Sequence, residues 1–250
     1  MPDFDPTKQK ISVILPCFNE KDNILPLIEE IHKNLEPYKH EILIVDDNSP
    51  DGTYQLVKEK KLPYVRAILR KTDPSFAKSI RTGLEKAKGK ILIVMDSDFN
   101  HKPEVLPALV ENLRYYDCVL ASRFVYGGDM GNRVRHICSW LFNVATRIVT
   151  RTFVTDTLFG YFAIRRDVIE KVDYDKVFWG FGEYNIRLMY YLQRQRISIL
   201  QIPGVLGQRR GGEGNSRFFK TFMIYTKAVL KLVWDDFQDR RAKQNGLQAD

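Results

Sequence analysis

The segment that most constrains this chain is an apolar run that stops on two aspartates. Residues 91–95 are five apolar residues in a row, a pattern that predicts a strand buried on both faces. Asp96 and Asp98 follow directly, and Asn100 adds an amide oxygen two residues later. At the frayed end of a strand, both carboxylates can reach one hard cation. A turn into a helix, with Asp98 or Asn100 as its cap, explains the same residues, so the motif alone is a weak indication of a metal site.

The strands and helices alternate along the first half of the chain, which predicts an α/β fold with a mostly parallel sheet and right-handed crossovers. The predicted strands cover residues 11–15, 41–45, 65–69, 91–95 and 118–121, and the predicted helices cover 22–35, 53–61, 75–88 and 103–114.

Three of these strands end in acidic or amide residues. Because parallel strands present their carboxyl ends at one edge of the sheet, we expect these side chains along one rim. Neither the glycine fingerprint of a dinucleotide fold nor a P-loop follows the first strand, so a metal-bridged diphosphate suits this rim better. The rim residues are Glu20, Asp46, Asp47, Asp96, Asp98 and Asn100.

Charge and composition narrow the class of partner. The 250 residues carry a formal net charge of +8, which favours an anionic partner such as nucleic acid, a phosphorylated substrate or a membrane surface. The three cysteines have no metal-ligand spacing and are odd in number, so we expect a reducing compartment. The first ten residues are polar, and no uncharged apolar run reaches the roughly 18 residues of a spanning helix. If the protein works at a membrane, we expect it to lie on the surface or to be held there by a partner subunit.

The second half contains two segments with alternative interpretations. Residues 135–152 place apolar side chains on one face, while Arg147 and Arg151 interrupt the other, which fits an ordinary core helix or a helix in a bilayer interface. A helix that starts near residue 217 carries Lys220, Lys227 and Lys231 among its apolar residues, and it either packs on the domain or meets a membrane or partner. Further helices are predicted at 167–171 and 182–195, a turn and a strand within 156–164, and a strand near 197–202. The apolar face of the segment 135–152 consists of Ile137, Trp140, Leu141, Val144 and Ile148.

Several motifs together resemble family 2 of the glycosyltransferases, in particular the dolichol-phosphate mannosyltransferase-like branch that charges polyprenyl phosphates. The resemblance rests on residues 15–20, 45–53 and 95–103, on 122–124 with 127–128, and on 156–157 with 160–161. It covers roughly residues 10–216. The combination is far more specific than any single motif.

The resemblance implies a GT-A fold, with amphipathic helices in the C-terminal half, and a nucleotide-sugar donor. By the family pattern, the nucleoside would be held by Pro16, Glu20, Val45 and Asp47. Mg²⁺ or Mn²⁺ on the donor diphosphate would be held by Asp96, Asp98 and Asn100.

The same resemblance also implies which residues bind the acceptor phosphate and which basic loop reaches the donor diphosphate. Arg123, Arg135 and Ser139 would meet the acceptor phosphate, so Asp98, Arg123 and Arg135 are the expected catalytic residues. One arginine of the Arg209/Arg210 pair would reach the diphosphate, with Ser216 in the same motif. The implied organisation is a flexible N-terminus over 1–9, a catalytic domain over 10–216, an amphipathic helix over 217–238 and a flexible tail over 239–250.

Three functions follow as expectations. The first is an inverting transfer of a hexose to a polyprenyl or dolichyl phosphate on the cytosolic face of a membrane. The first candidate donor is GDP-mannose, which would supply mannose, and the second is UDP-glucose, which would supply glucose. The second is a soluble family 2 transferase acting on a saccharide hydroxyl, which would need a carboxylate base, with Glu183 or Asp156 as candidates. The third is a non-catalytic module for nucleic acid or acidic lipid. Because the basic residues form no stripe with interleaved aromatics, we expect no nucleic acid.

Overall fold

A computed structural model describes residues 4–207 and 218–246 of the chain. The fold is α/β, as predicted, with one seven-stranded sheet in the order β3-β2-β1-β4-β6-β5-β7. The strands are β1 Ile11–Cys17, β2 His40–Asp46, β3 Val65–Leu69, β4 Ile91–Val94, β5 Cys118–Ser122, β6 Phe162–Arg165 and β7 Ile199–Pro203.

Nine α-helices lie within the described residues, and most of them match the sequence periodicity. They are α1 Lys21–Leu35, α2 Thr53–Lys60, α3 Phe76–Lys86, α4 Leu106–Glu111, α5 Arg133–Thr150, α6 Arg166–Ile169, α7 Tyr174–Val177, α8 Tyr184–Arg194 and α9 Phe218–Gly246. The predicted continuous helix over 103–114 is instead α4 between two 3₁₀ turns, Pro103–Val105 and Asn112–Arg114. Pro107 lies in the first turn of α4 and lacks an amide hydrogen, which explains why the α-helical ladder begins there.

The sheet is mostly parallel, but one central strand is reversed. β1 pairs in parallel with β2 and β4, β2 with β3, and β5 with β7. β6 lies antiparallel between β4 and β5. The carboxyl ends of β1, β2 and β4 therefore share one edge with the amino end of β6.

Each face of the sheet packs against its own hydrophobic core, because neighbouring residues of each strand point to opposite sides. Val13 and Leu15 of β1 join one core with α1, and Ile14 joins the other with α3. Gly83 of α3 allows this second contact to be close, since a Cβ at that position would lie 2.3 Å from Ile14 Cγ2.

Regular structure extends into both ends of the described part of the chain. Phe4 packs against the core with its ring 4.4 Å from the Arg165 guanidinium carbon, and Asp5 pairs with Arg114 at 3.0 Å, so residues 4–9 are docked. Helix α9 continues past residue 238 to Gly246, where good helix formers such as arginine, lysine and glutamine follow one another. Residues 1–3 and 247–250 lie outside the described residues.

Helix α5 has its polar side facing inward. Asn143, Thr146 and Thr150 are its buried residues, and the Asn143 side-chain oxygen accepts hydrogen bonds from the Thr157 backbone (2.8 Å) and hydroxyl (3.0 Å). Its apolar side is exposed, and Ile148 is 73% accessible. The interpretation as an ordinary core helix is therefore wrong. The exposed apolar residues of α5 include Val134, Ile137, Trp140, Leu141, Ile148 and Val149.

Helix α9 packs against α5 and α8 and also exposes an apolar side. The Phe142 and Phe222 rings meet edge to face with centroids 5.6 Å apart, and Val229 and Leu232 are buried against α8. Leu230, Trp234 and Phe237 point outward. Among the described helices, none is long and apolar enough to cross a bilayer.

Candidate active site

An open cleft of about 1190 Å³ lies at the carboxyl ends of β1, β2 and β4. This is the sheet edge at which the sequence predicts a ligand site. The structure brings together on the cleft wall seven of the residues predicted from the sequence, namely Pro16, Glu20, Asp47, Asp96, Asp98, Asn100 and Arg135.

The acidic motif after β4 is held in one conformation by its own hydrogen bonds. Asp98 is buried and accepts from the backbone N–H (3.1 Å) and the side-chain amide (2.8 Å) of Asn100. Phe99 between them has a φ of 66°, in the left-handed region. The Asn100 carbonyl in turn accepts from the backbone of Gly207 at 2.8 Å. This last bond ties the motif to the start of the basic loop.

His101 fixes the same motif from behind. Its Nδ1 accepts from the backbone N–H of Asp96 at 2.8 Å, so Nε2 carries the proton and donates to the Phe159 carbonyl at 2.8 Å. The buried ring stacks on Tyr161 with centroids 4.7 Å apart. Burial lowers the pKa of His101 to about 4, which keeps the imidazole neutral. The sequence motif contains His101, but only the tertiary contacts indicate this role.

The end of the cleft beside β1 and β2 carries two further carboxylates with fixed orientations. Glu20 accepts from the Asn23 amide at 2.7 Å. Asp47 accepts from the Arg70 guanidinium and from the Ser75 backbone (2.8 Å). Asp46 is buried and orders the same loop through Ser49. The predicted nucleoside contact Val45 differs from the others, since its side chain lies in the core under the sheet.

The predicted acceptor-side residues are only partly brought together. Arg135 lies in the first turn of α5 and lines the cleft. Ser139, one turn further, is half-buried and does not line it. Arg123 is buried behind Phe159, with its guanidinium carbon 4.9 Å from that ring's centroid. Arg209, Arg210 and Ser216 lie outside the described residues, so their roles stay predictions.

Both candidate general bases already accept hydrogen bonds from other groups of the chain. Asp156 is fully buried and forms a bidentate pair with Arg123, with N–O distances of 2.7 and 2.8 Å. Glu183 is buried, accepts from the Phe181 backbone at 3.0 Å and lies 3.9 Å from Arg187. Neither carboxylate lines the cleft.

Helix α9 supplies cleft residues that the sequence reasoning missed. Thr221 and Tyr225, spaced four apart on α9, line the cleft. Burial, with added effects from Glu183 and Asp96, raises the pKa of the Tyr225 hydroxyl, which therefore stays protonated. The i, i+4 spacing of two hydroxyl side chains is the only sequence signal that marks them.

The carboxylates at Asp96 and Asp98 fit a cation whose remaining ligands come from a substrate phosphate. Within the described part of the chain, no group of three or more His, Cys, Asp or Glu side chains could enclose a metal ion. Mg²⁺ is usually held by one or two carboxylates together with substrate phosphates. Asp96 and Asp98, both on the cleft wall, supply such a pair.

The fold and the cleft define the class of this protein. A mostly parallel sheet with two carboxylates at the end of β4, facing an open cleft, is the GT-A arrangement of glycosyltransferases. The chain belongs to Glycosyl transferase family 2, whose profile matches residues 12–173. It is a glycosyltransferase, as the sequence motifs predict.

Curated relatives share most of the chain. It is 30% identical over 241 residues to the dolichol-phosphate mannosyltransferase of Pyrococcus furiosus, covering 94% of this chain and 67% of that protein. It is 32% identical over 213 residues to the undecaprenyl-phosphate mannosyltransferase of Micrococcus luteus, covering 82% and 86%. The dolichol-phosphate mannosyltransferase of Saccharomyces cerevisiae is 28% identical over 213 residues, with 81% and 79% covered.

Solved structures support the fold. Glucosyl-3-phosphoglycerate synthase from Mycobacterium tuberculosis, in complex with Mn²⁺, uridine diphosphate and glucosyl-3-phosphoglycerate, matches with a TM-score of 0.71 at 20% identity. The match covers 90% of this chain and 80% of that one. The same enzyme with Mg²⁺ and uridine diphosphate gives a TM-score of 0.70 at 19% identity, again over 90% and 80% of the two chains.

Proposed function

We propose that this protein transfers a hexosyl group from a nucleotide sugar to a polyprenyl phosphate at a membrane surface. Mannose is the first candidate sugar and glucose the second. GDP-mannose is the first candidate donor and UDP-glucose the second. The names of the curated relatives, which are dolichol-phosphate and undecaprenyl-phosphate mannosyltransferases, support the acceptor class and the sugar.

The observation that carries the proposal is the engagement of both candidate bases. A sugar hydroxyl must lose a proton as it attacks, so an enzyme for such an acceptor needs a base within reach. Asp156 is held away from the cleft by the Arg123 guanidinium and backbone N–H, and Glu183 is held by the Phe181 backbone N–H, with the Arg187 guanidinium 3.9 Å away. A phosphate acceptor is already anionic near neutral pH and needs no base. The site therefore fits a lipid phosphate better than a saccharide hydroxyl.

The carboxylates on the cleft wall fit the donor side of this reaction. Asp96 and Asp98 would hold a Mg²⁺ or Mn²⁺ ion on the donor diphosphate, with Asn100 beside them. The ion, when bound, supplies the positive charge that stabilises a departing diphosphate. Direct attack of the acceptor phosphate on the anomeric carbon breaks the sugar–diphosphate bond in one displacement and inverts the configuration. Arg135 offers the acceptor phosphate a planar cation at the cleft wall.

The exposed apolar sides of α5 and α9 support a peripheral position on the membrane. A helix with its apolar side toward solvent fits the boundary between lipid headgroups and acyl chains. The same two helices carry Arg135 and Tyr225 to the cleft, so a lipid phosphate at the surface would arrive next to the site. The cytosolic face is the expected side. A membrane-anchoring partner subunit that covers these helices is the alternative.

Turnover of a panel of nucleotide sugars with Mn²⁺, with and without a short polyprenyl phosphate, tests the proposal. Lipid-linked sugar from GDP-mannose is the expected product. Sugar transfer only to an added saccharide would overturn the acceptor assignment and favour the alternative family 2 reaction.

The acidic motif has its own test. We expect Asp98→Asn to lower kcat/KM on the order of 100-fold or more, because one of two carboxylates for the cation is lost. Asp167→Asn is the matched control. Asp167 is exposed in α6, which lies at the ends of the strands away from the cleft. Retention of most activity by Asp98→Asn would contradict the assigned metal residues.

A further inference from the structure

A second cavity, separate from the cleft, is lined largely by arginines. It has a volume of about 340 Å³ and is lined by Arg151, Gln193, Arg194 and Arg196. We propose that this cavity binds the phosphate of an anionic phospholipid headgroup. The proposal rests on the membrane position in the proposed function and adds a specific lipid contact to it.

The cavity is built from two helix ends that one side chain holds together. Gln193 accepts from the Phe153 backbone at 2.7 Å and donates to the Arg151 carbonyl at 2.8 Å. Arg151, at the C-terminal end of α5, and Arg196, just after α8, both have left-handed φ values, 55° and 59°.

The cavity carries an excess of positive charge. Arg194 is paired, with its guanidinium 3.0 Å from Asp236 of α9 and 2.9 Å from the Tyr190 hydroxyl. Arg151 and Arg196 make no salt bridge with another described residue. Two guanidinium groups are therefore available, and a phosphate is the anion that their planar donor geometry fits.

The surroundings favour a lipid over a soluble phosphate. Ile148 and Val149 precede Arg151 on the exposed side of α5, and Phe153 follows it with its ring exposed. Asp236, the partner of Arg194, lies on α9 between the exposed residues Trp234 and Phe237. Basic residues at a membrane surface are attracted to anionic lipid headgroups. The exposed apolar side chains would enter the lipid while the arginines meet the phosphate layer.

Vesicle co-sedimentation of the full chain tests this site. The probes are phosphatidylcholine vesicles with and without a fraction of phosphatidylglycerol. We expect tighter binding to the anionic vesicles, and we expect the variant Arg151→Gln/Arg196→Gln to weaken that binding about 30-fold, since each basic residue near an anionic surface contributes about fivefold. Its binding to pure phosphatidylcholine should change little.

A variant with the same change in net charge separates the effect of this cavity on vesicle binding from the effect of charge alone. Lys58→Gln/Lys60→Gln removes two exposed charges from α2, which packs on β3 at the far edge of the sheet from β7. We expect it to bind within about threefold of the wild type. Equal losses in both variants, or no loss in Arg151→Gln/Arg196→Gln, would overturn the proposal. So would an absence of binding to any vesicle.

Two further measurements separate the possible sources of phosphate and the two proposals. Inorganic phosphate, compared with chloride at equal ionic strength, should not displace the protein from anionic vesicles, and specific displacement would assign the cavity to a soluble phosphate instead. Transfer to a short, water-soluble polyprenyl phosphate should be unchanged in Arg151→Gln/Arg196→Gln, since neither residue lines the cleft. Failure of that transfer in the wild type would count against the proposed function and not against the lipid site.

Discussion

At the scale of single residues, the buried imidazole of His101 connects two walls of the cleft. It accepts a hydrogen bond from Asp96 on the β4 side and donates one to Phe159 on the β6 side. Only the neutral Nε2–H tautomer can make both bonds. The conformation of the acidic motif therefore depends on a group that is uncharged near neutral pH.

This neutral state predicts a pH dependence of stability. The pKa of His101 is 6.5 in a model peptide and about 4 in the fold, so the unfolded chain binds more protons between these values. The free energy of unfolding should fall as the pH drops from about 6.5 toward 4, and the loss from His101 at pH 5 should be about 2 kcal/mol. Urea denaturation at pH 7.5 and 5, with a chelator present, measures it.

The control for that measurement is His101→Gln, which cannot titrate in this range. His40, whose pKa is also lowered by burial, is retained in both proteins and its contribution cancels in the comparison. An equal loss of stability between pH 7.5 and 5 in both proteins would rule out His101 as the source.

A second residue-scale prediction concerns Tyr225. Its protonated hydroxyl lies on the cleft wall and can donate to a bound substrate, so we expect Tyr225→Phe to lower kcat/KM about tenfold. Tyr115→Phe, at a residue that is 67% exposed, is the matched control. Steady-state kinetics on both variants measure the effect, and an unchanged kcat/KM in Tyr225→Phe would exclude a substrate contact.

At the scale of elements, α5 is an amphipathic helix that buries its polar face and exposes its apolar face. Its inward side chains are an asparagine and threonines, and its isoleucines, leucine and tryptophan face outward. Such a helix gains little from burial of its own apolar face within this chain. Its apolar side is available to a surface outside the chain.

This orientation predicts that two substitutions on α5 differ in their effect on the free energy of unfolding. Asn143→Leu should lower the free energy of unfolding by about 1–3 kcal/mol, because the Thr157 backbone N–H loses its buried acceptor. Ile148→Gln should change it by less than about 0.5 kcal/mol, since that side chain is exposed. Urea denaturation of both variants decides the matter. A large loss in Ile148→Gln would mean that α5 buries its apolar side after all.

At the scale of the whole molecule, α9 both completes the cleft and joins the core. Its residues Thr221 and Tyr225 line the cleft, while Val229 and Leu232 are buried with Ile186 and Tyr190 of α8. We therefore expect α9 to unfold together with the rest of the chain.

Two leucines of α9 test that expectation. Leu232→Ala should lower the free energy of unfolding by about 2–4 kcal/mol and reduce turnover, because the buried side chain holds the helix on α8. Leu230→Ala is the control on the same helix, since Leu230 is 60% exposed and should have little effect on either. An unchanged denaturation midpoint in Leu232→Ala would show that α9 contributes nothing to the stability of the fold.

Local patterns in the sequence were sufficient for the α/β order and the acidic rim, and the combined motifs were sufficient for the resemblance to the family. Apolar runs of five residues and helical periods depend only on near neighbours, and the aspartates follow the strands directly. The parallel pairing of β1, β2 and β4 then places their carboxyl ends together. This is why the sequence alone assigns Glu20, Asp47, Asp96 and Asp98 to one edge of the sheet.

The tertiary structure alone decided how the remaining surfaces meet. The reversal of β6, the pairing of Arg123 with Asp156, the inward polar side of α5 and the arrival of Tyr225 at the cleft all join residues distant in sequence. Each depends on which partner buries a given face or neutralises a given charge. Helical spacing identifies the faces of α5, but only its neighbours determine which face turns inward.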